Sequence, residues 1–480
     1  MDFPWTVLAV TAAYLATSLV IGLWPRRSIT PTAEGFVAGD RTLGLFVMYF
    51  ITGATIFSAF AFLGGPGFAY TRGAAVFYIL GYGALGMLPF YFLGPRAAEL
   101  GRKRGYVTQA EMLAGIFDLP PLAAVMAIVS VVGFVPYLAL QMQGAGYVLE
   151  TMTQGRVPDW AGALIVYSVV LIYVLRSGVL GVGWTNTLQG IFMMVLAWGL
   201  GLYLPYKLYG GIPELFSRIV AERPELLRSP GLTATGTPWA TSEYGSAVIV
   251  SVIGFSMWPH LFMKAFTARS EDTLRRTVVL YPTFQIFLVP LFIIGFCGVF
   301  FETAPAEADQ ILPHILMHSD IPAVIVGLFC AGALAASMSS GDAMAHAAAS
   351  IAVRDGWVTA LGRQLEPRIE QRAIRIAVVV VMAAAYAVAI GYEGSLVILL
   401  LTTYGSVVQF APGMVLGLYS PRVEGRAVLG GLVVGSLVTL GLVVFPTARP
   451  WAIHAGLYGL TANVTTLGLI HFATTSARDR

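Results

Sequence analysis

Between Ala331 and Asp355 the chain reads AGALAASMSSGDAMAHAAASIAVRD, a run of small residues carrying paired hydroxyls, a carboxyl and an imidazole. Ser339, Asp342 and His346 stand at i, i+3 and i+7, so a helix turns all three towards one side. Hydroxyls can ligate a cation, an ionisable group inside a membrane is a functional candidate, and His titrates near neutral pH. On residue types alone, SMSS among alanines also suits close helix packing, and Asp342 and His346 could simply bond to each other. Elsewhere the chemistry is sparse. The six histidines, His260, His314, His318, His346, His454 and His471, are scattered, and no phosphate loop, H-E-x-x-H or C-x-x-C occurs. That argues against a membrane enzyme. Cys297 and Cys330 both lie in apolar runs, unlike a disulfide framework or a metal cluster.

The elements that must hold these groups follow from hydropathy. Of 480 residues, 57% are hydrophobic and 11% charged, less than half of the roughly 25% charged residues of a soluble domain. A cytosolic globule is excluded, and a formal net charge of +3 is too small for a nucleic-acid binder. A membrane-spanning helix needs about 20 mostly apolar residues. Thirteen such runs are expected, near 4–24, 44–69, 73–93, 121–149, 159–175, 182–208, 243–266, 277–301, 321–352, 373–391, 395–418, 426–446 and 453–473. The first follows Asp2, lacks a basic leader and precedes Arg26 and Arg27, so it reads as an uncleaved membrane helix. The connecting segments are short, which predicts one all-α polytopic bundle, a single domain over 1–480.

With the N-terminus outside, the alternating loops place 21 of the 28 Lys and Arg residues inside and 7 outside. The positive-inside rule then predicts N-terminus out and C-terminus cytoplasmic in a cell membrane. Lys264 is counted among the inside loops, so no Lys or Arg is expected at membrane depth, and Asp342 is the only carboxylate there. The segment 210–239 becomes an external loop with a short amphipathic helix.

Two runs carry helix-breaking sequence. The second has Gly53 in its middle and Gly64, Gly65, Pro66 and Gly67 further on; the seventh has Gly254 and Pro259 around a polar and aromatic stretch. Gly and Pro are common in membrane helices. Interrupted helices at corresponding places in two halves, here five helices apart, nevertheless point to an inverted-repeat carrier with its site at the midplane.

Four stretches in order carry a family resemblance: AGDRTLGLFVMYFITGATIFSAFAFLGGPGFAYTRG from Ala38, WTNTLQG from Trp184, PHLFMKAFTARSEDTLRR from Pro259, and the Ala331 to Asp355 run. Over residues 36–420 the chain resembles the sodium/solute symporter family, relatives of bacterial monocarboxylate, pantothenate and proline permeases. The resemblance implies a LeuT-type core of two inverted five-helix repeats over 44–418, preceded by the helix 4–24 and followed by two helices over 426–473.

It also implies a sodium site in which the carbonyls of Ala54 and Phe57 face the carbonyl of Ala336 and the hydroxyls of Ser339 and Ser340. Sodium enters as the co-transported cation, and no organic cofactor is expected. Many members carry Asp where this chain has Asn186, which puts a second sodium site in doubt; Asp342 and His346 then join Asn186 as coupling candidates, with protons as an alternative driving ion. Core helices one, three, six and ten should converge on the solute, with Thr52, Thr55, Gln141, Phe255, Ser256, Trp258, Tyr404 and Gln409 as contacts. So apolar a set suits a small anionic monocarboxylate better than a sugar, whose hydroxyls would all need partners. An amino acid or pantothenate-like solute is the alternative, and a sensor or a passive channel are further readings. The expected partners are that solute, sodium and the lipid bilayer, with no nucleic acid.

Overall fold

A computed structural model describes residues 5–24, 32–391, 403–420, 422–445, 447 and 449–478. Pro4, Arg26, Arg27, Arg480, the 395–402 part of the eleventh expected span and position 446 lie outside the described residues.

The first half of the chain contains α1 (Trp5–Leu23), α2 (Ala33–Ala38), α3 (Leu45–Ile56), α4 (Gly65–Arg72), α5 (Phe77–Gly86), α6 (Leu88–Arg104), α7 (Gln109–Phe117), α8 (Pro120–Met152), α9 (Asp159–Tyr209) and α10 (Ile212–Glu222). The second half has α11 (Thr241–Phe255), α12 (Pro259–Phe262), α13 (Lys264–Thr267), α14 (Glu271–Gln285), α15 (Leu288–Cys297), α16 (Ile311–His318), α17 (Ala323–Val353), α18 (Pro367–Gly391), α19 (Ala411–Tyr419), α20 (Gly425–Val444) and α21 (Ala455–Arg478). The described residues form no strand beyond two isolated bridges. Eight helices among them are long and apolar enough to cross a membrane, nine if the bent pair Thr241–Phe255 and Pro259–Thr267 is one span.

The outer surface is hydrocarbon-compatible. Ile128, Val132, Val195, Ile376 and Leu437 are all exposed, an arrangement that water would oppose and lipid accepts. The polar residues instead go inward, onto α17. From Val326 onward this helix is almost wholly buried, because Ala, Gly and Ser let α8, α9 and α1 approach closely.

Both expected helix interruptions occur. After α3 the backbone leaves helical geometry at Phe57 (φ −90°, ψ 86°), and a π-helical turn Phe60–Gly64 leads into α4. After α11 the chain bends by 41° before Pro259–Thr267. Gly53 serves packing: a Cβ there would come within 2.5 Å of the Phe284 ring on α14.

One boundary differs from the sequence reading. The runs 159–175 and 182–208 form the single helical element α9 of 51 residues, interrupted only at Gly178 (φ 51°). At about 1.5 Å per residue it would extend ~77 Å, more than twice a hydrocarbon core of about 30 Å. That length exceeds one straight crossing, and the break is a single residue rather than a loop, Gly178, whose positive φ glycine adopts without steric cost. The amphipathic helix expected in 210–239 is α10, with Leu215 and Ile219 buried.

Candidate functional site

The interruption in α3 frees carbonyls that α17 meets with hydroxyls. Ser339 Oγ lies 2.8 Å from the Ala54 carbonyl and 3.0 Å from that of Ala336, while Ser340 Oγ donates to the Thr55 carbonyl at 2.7 Å. All five of these α3 and α17 residues are fully buried. Of the five expected cation ligands, Ala54, Ala336 and Ser339 thus come together directly, and Ser340 joins them one carbonyl along. Phe57 lies in the same interruption, its ring stacked on Tyr281 and Phe284. The far side of the interruption is capped too: the Ala59 N–H donates to Gln141 Oε1 at 2.9 Å and the Phe60 N–H to Ser58 Oγ at 3.2 Å. Backbone groups that would otherwise be orphaned in a dry interior are satisfied by side chains.

Beside this lies a second polar cluster. Asp342 Oδ2 accepts from Tyr173 Oη at 2.7 Å, from Thr185 Oγ1 at 3.2 Å and from Asn186 Nδ2 at 3.1 Å, and the same Nδ2 is 3.1 Å from Oδ1. Tyr173 and Asn186 are the firm donors, because the Thr185 proton also has the Gly181 carbonyl at 2.9 Å. Asn186 Oδ1 in turn accepts from Thr55 Oγ1 at 2.9 Å. Hydrogen bonds thus run from the carboxylate to the residue whose carbonyl Ser340 holds.

Asp342 and His346 do not bond to each other. The His346 ring packs on Phe36, and its Nε2 is 2.9 Å from the Phe36 carbonyl. One helix face, expected to present three groups in one direction, is divided among neighbours: Ser339 to α3, Asp342 to α9, His346 to α2.

The expected solute contacts divide into two groups. Phe255, Trp258 and Tyr404 gather with Tyr82 and Tyr137, Trp258 lying 5.1 Å from Tyr137 and 5.7 Å from Tyr404 between ring centroids. Trp258 Nε1 and Thr52 Oγ1 are buried without a hydrogen-bond partner among the described residues. The others are engaged by the protein itself. Thr55 and Gln141 bond as above, and the Ser256 hydroxyl donates to the Gly86 carbonyl. Gln409 is hydrogen-bonded to neighbouring helices. Its Nε2 reaches the carbonyls of Gly405 and Gly456 and the Thr439 hydroxyl at 3.1–3.2 Å, and Asn463 donates to its backbone carbonyl at 2.9 Å. Gln409, expected to contact solute, is thus engaged by the protein itself. Its amide is consumed in tying the helix to α20 and α21.

The sequence profile of the Sodium:solute symporter family matches residues 36–435. The chain belongs to that family. Among relatives, it is 25% identical over 98% of both chains to the uncharacterized symporter YhjB of Bacillus subtilis (strain 168). It is 23% identical to the monocarboxylate transport permease protein of Rhizobium johnstonii, over 96% of both chains, and 24% identical to the sodium/pantothenate symporter of Escherichia coli (strain K12), over 90% and 89%. The fold is that of a Na+-coupled sialic acid symporter solved in a substrate-bound outward-open state, with TM-score 0.78 over 97% of both chains at 20% identity. A nucleobase-cation-symport family transporter, Mhp1, aligns with TM-score 0.56 over 93% of this chain and 95% of its own. The fold class is LeuT-type, and the chain is a multi-pass membrane protein of a sodium-coupled solute symporter family.

Several groups around this symporter's site escaped sequence reasoning. Tyr137 precedes Gln141 by one helical turn, and Thr185 is the neighbour of Asn186 in WTNTLQG; both signals were present but no rule selected them. Lys264 is the larger correction. Expected in a basic loop, it is 4% exposed, held in α13 just past the bend with His260 one turn earlier. An apolar window that ends near a basic residue cannot distinguish a loop from a short half-helix folded back into the bundle.

Proposed function

We propose that this chain couples inward sodium movement to uptake of a small monocarboxylate by alternating access, as a single transporter unit of thirteen spans with its N-terminus outside and its C-terminus cytoplasmic. The observation that carries the reading is the pair of serines on one helix, Ser339 and Ser340, against the carbonyls of Ala54 and Thr55 at a helix interruption. Neutral oxygens at that spacing suit an ion that must be released as well as bound, since a directly ligating carboxylate would hold it longer. Sodium is assigned to Ala54, Phe57, Ala336, Ser339 and Ser340.

Asp342, held by Asn186, acts on that site through Thr55 and tunes ion coupling. Its carboxylate gives protons a place to contribute. The solute's apolar body lies among Phe255, Trp258 and Tyr404, near the unpartnered Thr52 hydroxyl and Trp258 N–H. Support for a carboxylate comes from the aromatic lining and from the relatives named for monocarboxylate and pantothenate transport.

The test is uptake into proteoliposomes of labelled monocarboxylates, pantothenate and amino acids, each with and without a sodium gradient. Sodium-driven uptake of one or more monocarboxylates is expected. Uptake confined to amino acids would remove the substrate reading, and the absence of sodium- or proton-driven uptake of any solute would remove the symport reading.

A further inference from the structure

The buried ammonium of Lys264 is used by nothing described so far. Lys264, His260 and His346 all line one cavity of about 10 Å³, space for a single water molecule, closed by Val37, Val179 and Ala343 among others. Lys264 forms neither an ion pair nor a hydrogen bond among the described residues, and His260 Nδ1 is buried without a partner there. Asp342 attracts the ammonium electrostatically, yet its oxygens are taken by Tyr173, Thr185 and Asn186. Holding a cation inside the bundle without an ion-pair partner is costly, even beside a water-sized cavity. The bundle retains one where a hydrophobic residue would pack.

The position of this cavity gives it a meaning. It lies between the lead-in to the interrupted helix α3, the second half of α9, the half-helices α12 and α13, and the end of α17 nearer the basic loops. His260 joins it to the aromatic group: its ring is 5.7 Å from that of Trp258 and 5.4 Å from that of Phe134. His260 thus touches the aromatic group through Trp258 and lines the cavity together with Lys264.

We infer that Lys264, with His260 and His346, forms an anion-binding waypoint on the cytoplasmic exit path, which receives the solute's carboxylate as the cavity widens. The inference rests on the monocarboxylate reading. A carboxylate leaving the aromatic group would pair with the ammonium, replacing the missing partner, and would be released when water enters from the cytoplasm and screens the pair. An inorganic anion such as chloride has the same chemistry and is the competing occupant.

The test uses proteoliposomes of known orientation and [14C]pyruvate as probe, with the half-saturating concentration read separately on each face. Lys264→Gln is expected to raise it at least 10-fold on the cytoplasmic face and under 3-fold on the outer face, with Lys264→Arg within 3-fold of the parent on both. His260→Gln should move the cytoplasmic value in the same direction. An equal rise on both faces, no change, or restoration of the parent values by adding Asp342→Asn would overturn the inference; the last would mean that Lys264 only balances Asp342. Should the parent carry no carboxylate, the monocarboxylate reading falls separately, and the waypoint is tested with chloride. Replacing cytoplasmic chloride with a bulky sulfonate buffer anion must then slow sodium-driven transport of whichever solute the parent carries at least 3-fold and leave Lys264→Gln unaffected, and failure of that response overturns the waypoint too.

Discussion

Asn186 grips the Asp342 carboxylate with one amide nitrogen, 3.1 Å from each oxygen, while its own carbonyl oxygen accepts the Thr55 hydroxyl at 2.9 Å. The two residues lie on different helices, α9 and α17, and the amide can satisfy both partners only in one flip state. A carboxylate on α17 and a carboxamide on α9 are complementary, so either residue changed alone breaks a matched pair.

That complementarity predicts a coupling energy. Asp342→Asn leaves Tyr173 and Asn186 donating to a neutral oxygen and should reduce sodium-driven uptake at least 10-fold. Asn186→Asp places two carboxylates against each other, where like charges cannot both ionise cheaply, and should be at least as harmful. The exchange Asn186→Asp with Asp342→Asn restores one carboxylate opposite one carboxamide and should recover part of the loss. Sodium titrations of the two single variants and the double close the cycle. A double variant as poor as the product of the singles would refute the coupling, and an Asp342→Asn variant with the parent's sodium and pH dependence would remove Asp342 from coupling.

The serines make a simpler case. Ser339→Ala removes the hydroxyl beside the Ala54 carbonyl and Ser340→Ala the one beside Thr55. Loss of one oxygen ligand worth about 1.4 kcal/mol would raise the half-saturating sodium concentration about 10-fold. Uptake rates measured against sodium at fixed solute should show that shift for both. An unchanged sodium requirement in both would place the ion elsewhere.

Gln409 should behave as a structural tie. Gln409→Leu leaves the carbonyls of Gly405 and Gly456 and the Thr439 hydroxyl without their shared donor, a loss of about 1–3 kcal/mol. The midpoint of thermal unfolding in detergent should fall while the half-saturating solute concentration stays within 2-fold. A large rise in the latter with unchanged stability would return Gln409 to the solute site.

Gly53 should tolerate no side chain. The first atom of Gly53→Ala would sit 2.5 Å from the Phe284 ring, which is itself packed on Phe57 and Phe287. Overpacking of this kind costs typically about 1–3 kcal/mol. Reduced thermal stability is expected, with partial recovery when Phe284→Leu is added to make room.

On the basic-loop side, Arg354 joins Glu111 of α7 at 2.8 Å and Glu370 of α18 at 3.3 Å, all three largely shielded from solvent. Arg354→Ala leaves two carboxylates without their common partner, and breaking a buried pair costs about 3–5 kcal/mol. A fall in the unfolding midpoint, relieved by adding Glu370→Gln, is the expected outcome in a thermal scan.

The family, the α-helical class and the two interruptions were legible because each rests on local composition. Apolar length, small-residue runs and paired Gly and Pro signals survive without knowledge of what packs on them. That Ser339 and Ala336 share one face of a buried helix was legible from their three-residue spacing, while a role in ion binding came only with the family motif. Gln409 was not: a lone amide in an apolar run suits a solute contact and a tie between helices equally well, and only the positions of Gly456, Thr439 and Asn463 separate the two.

By itself, then, the sequence determined that this is a multi-span symporter and which helices break. Tertiary structure decided how the polar residues of those helices are shared out. Ser339, Asp342 and His346 occupy one stripe of α17, but α3, α9 and α2 each claim one of them, and Lys264 is drawn from an expected loop into the interior. The physical reason is that a buried polar group must find its partner across helices far apart in the chain, and helical periodicity specifies a direction without specifying the neighbour that stands there.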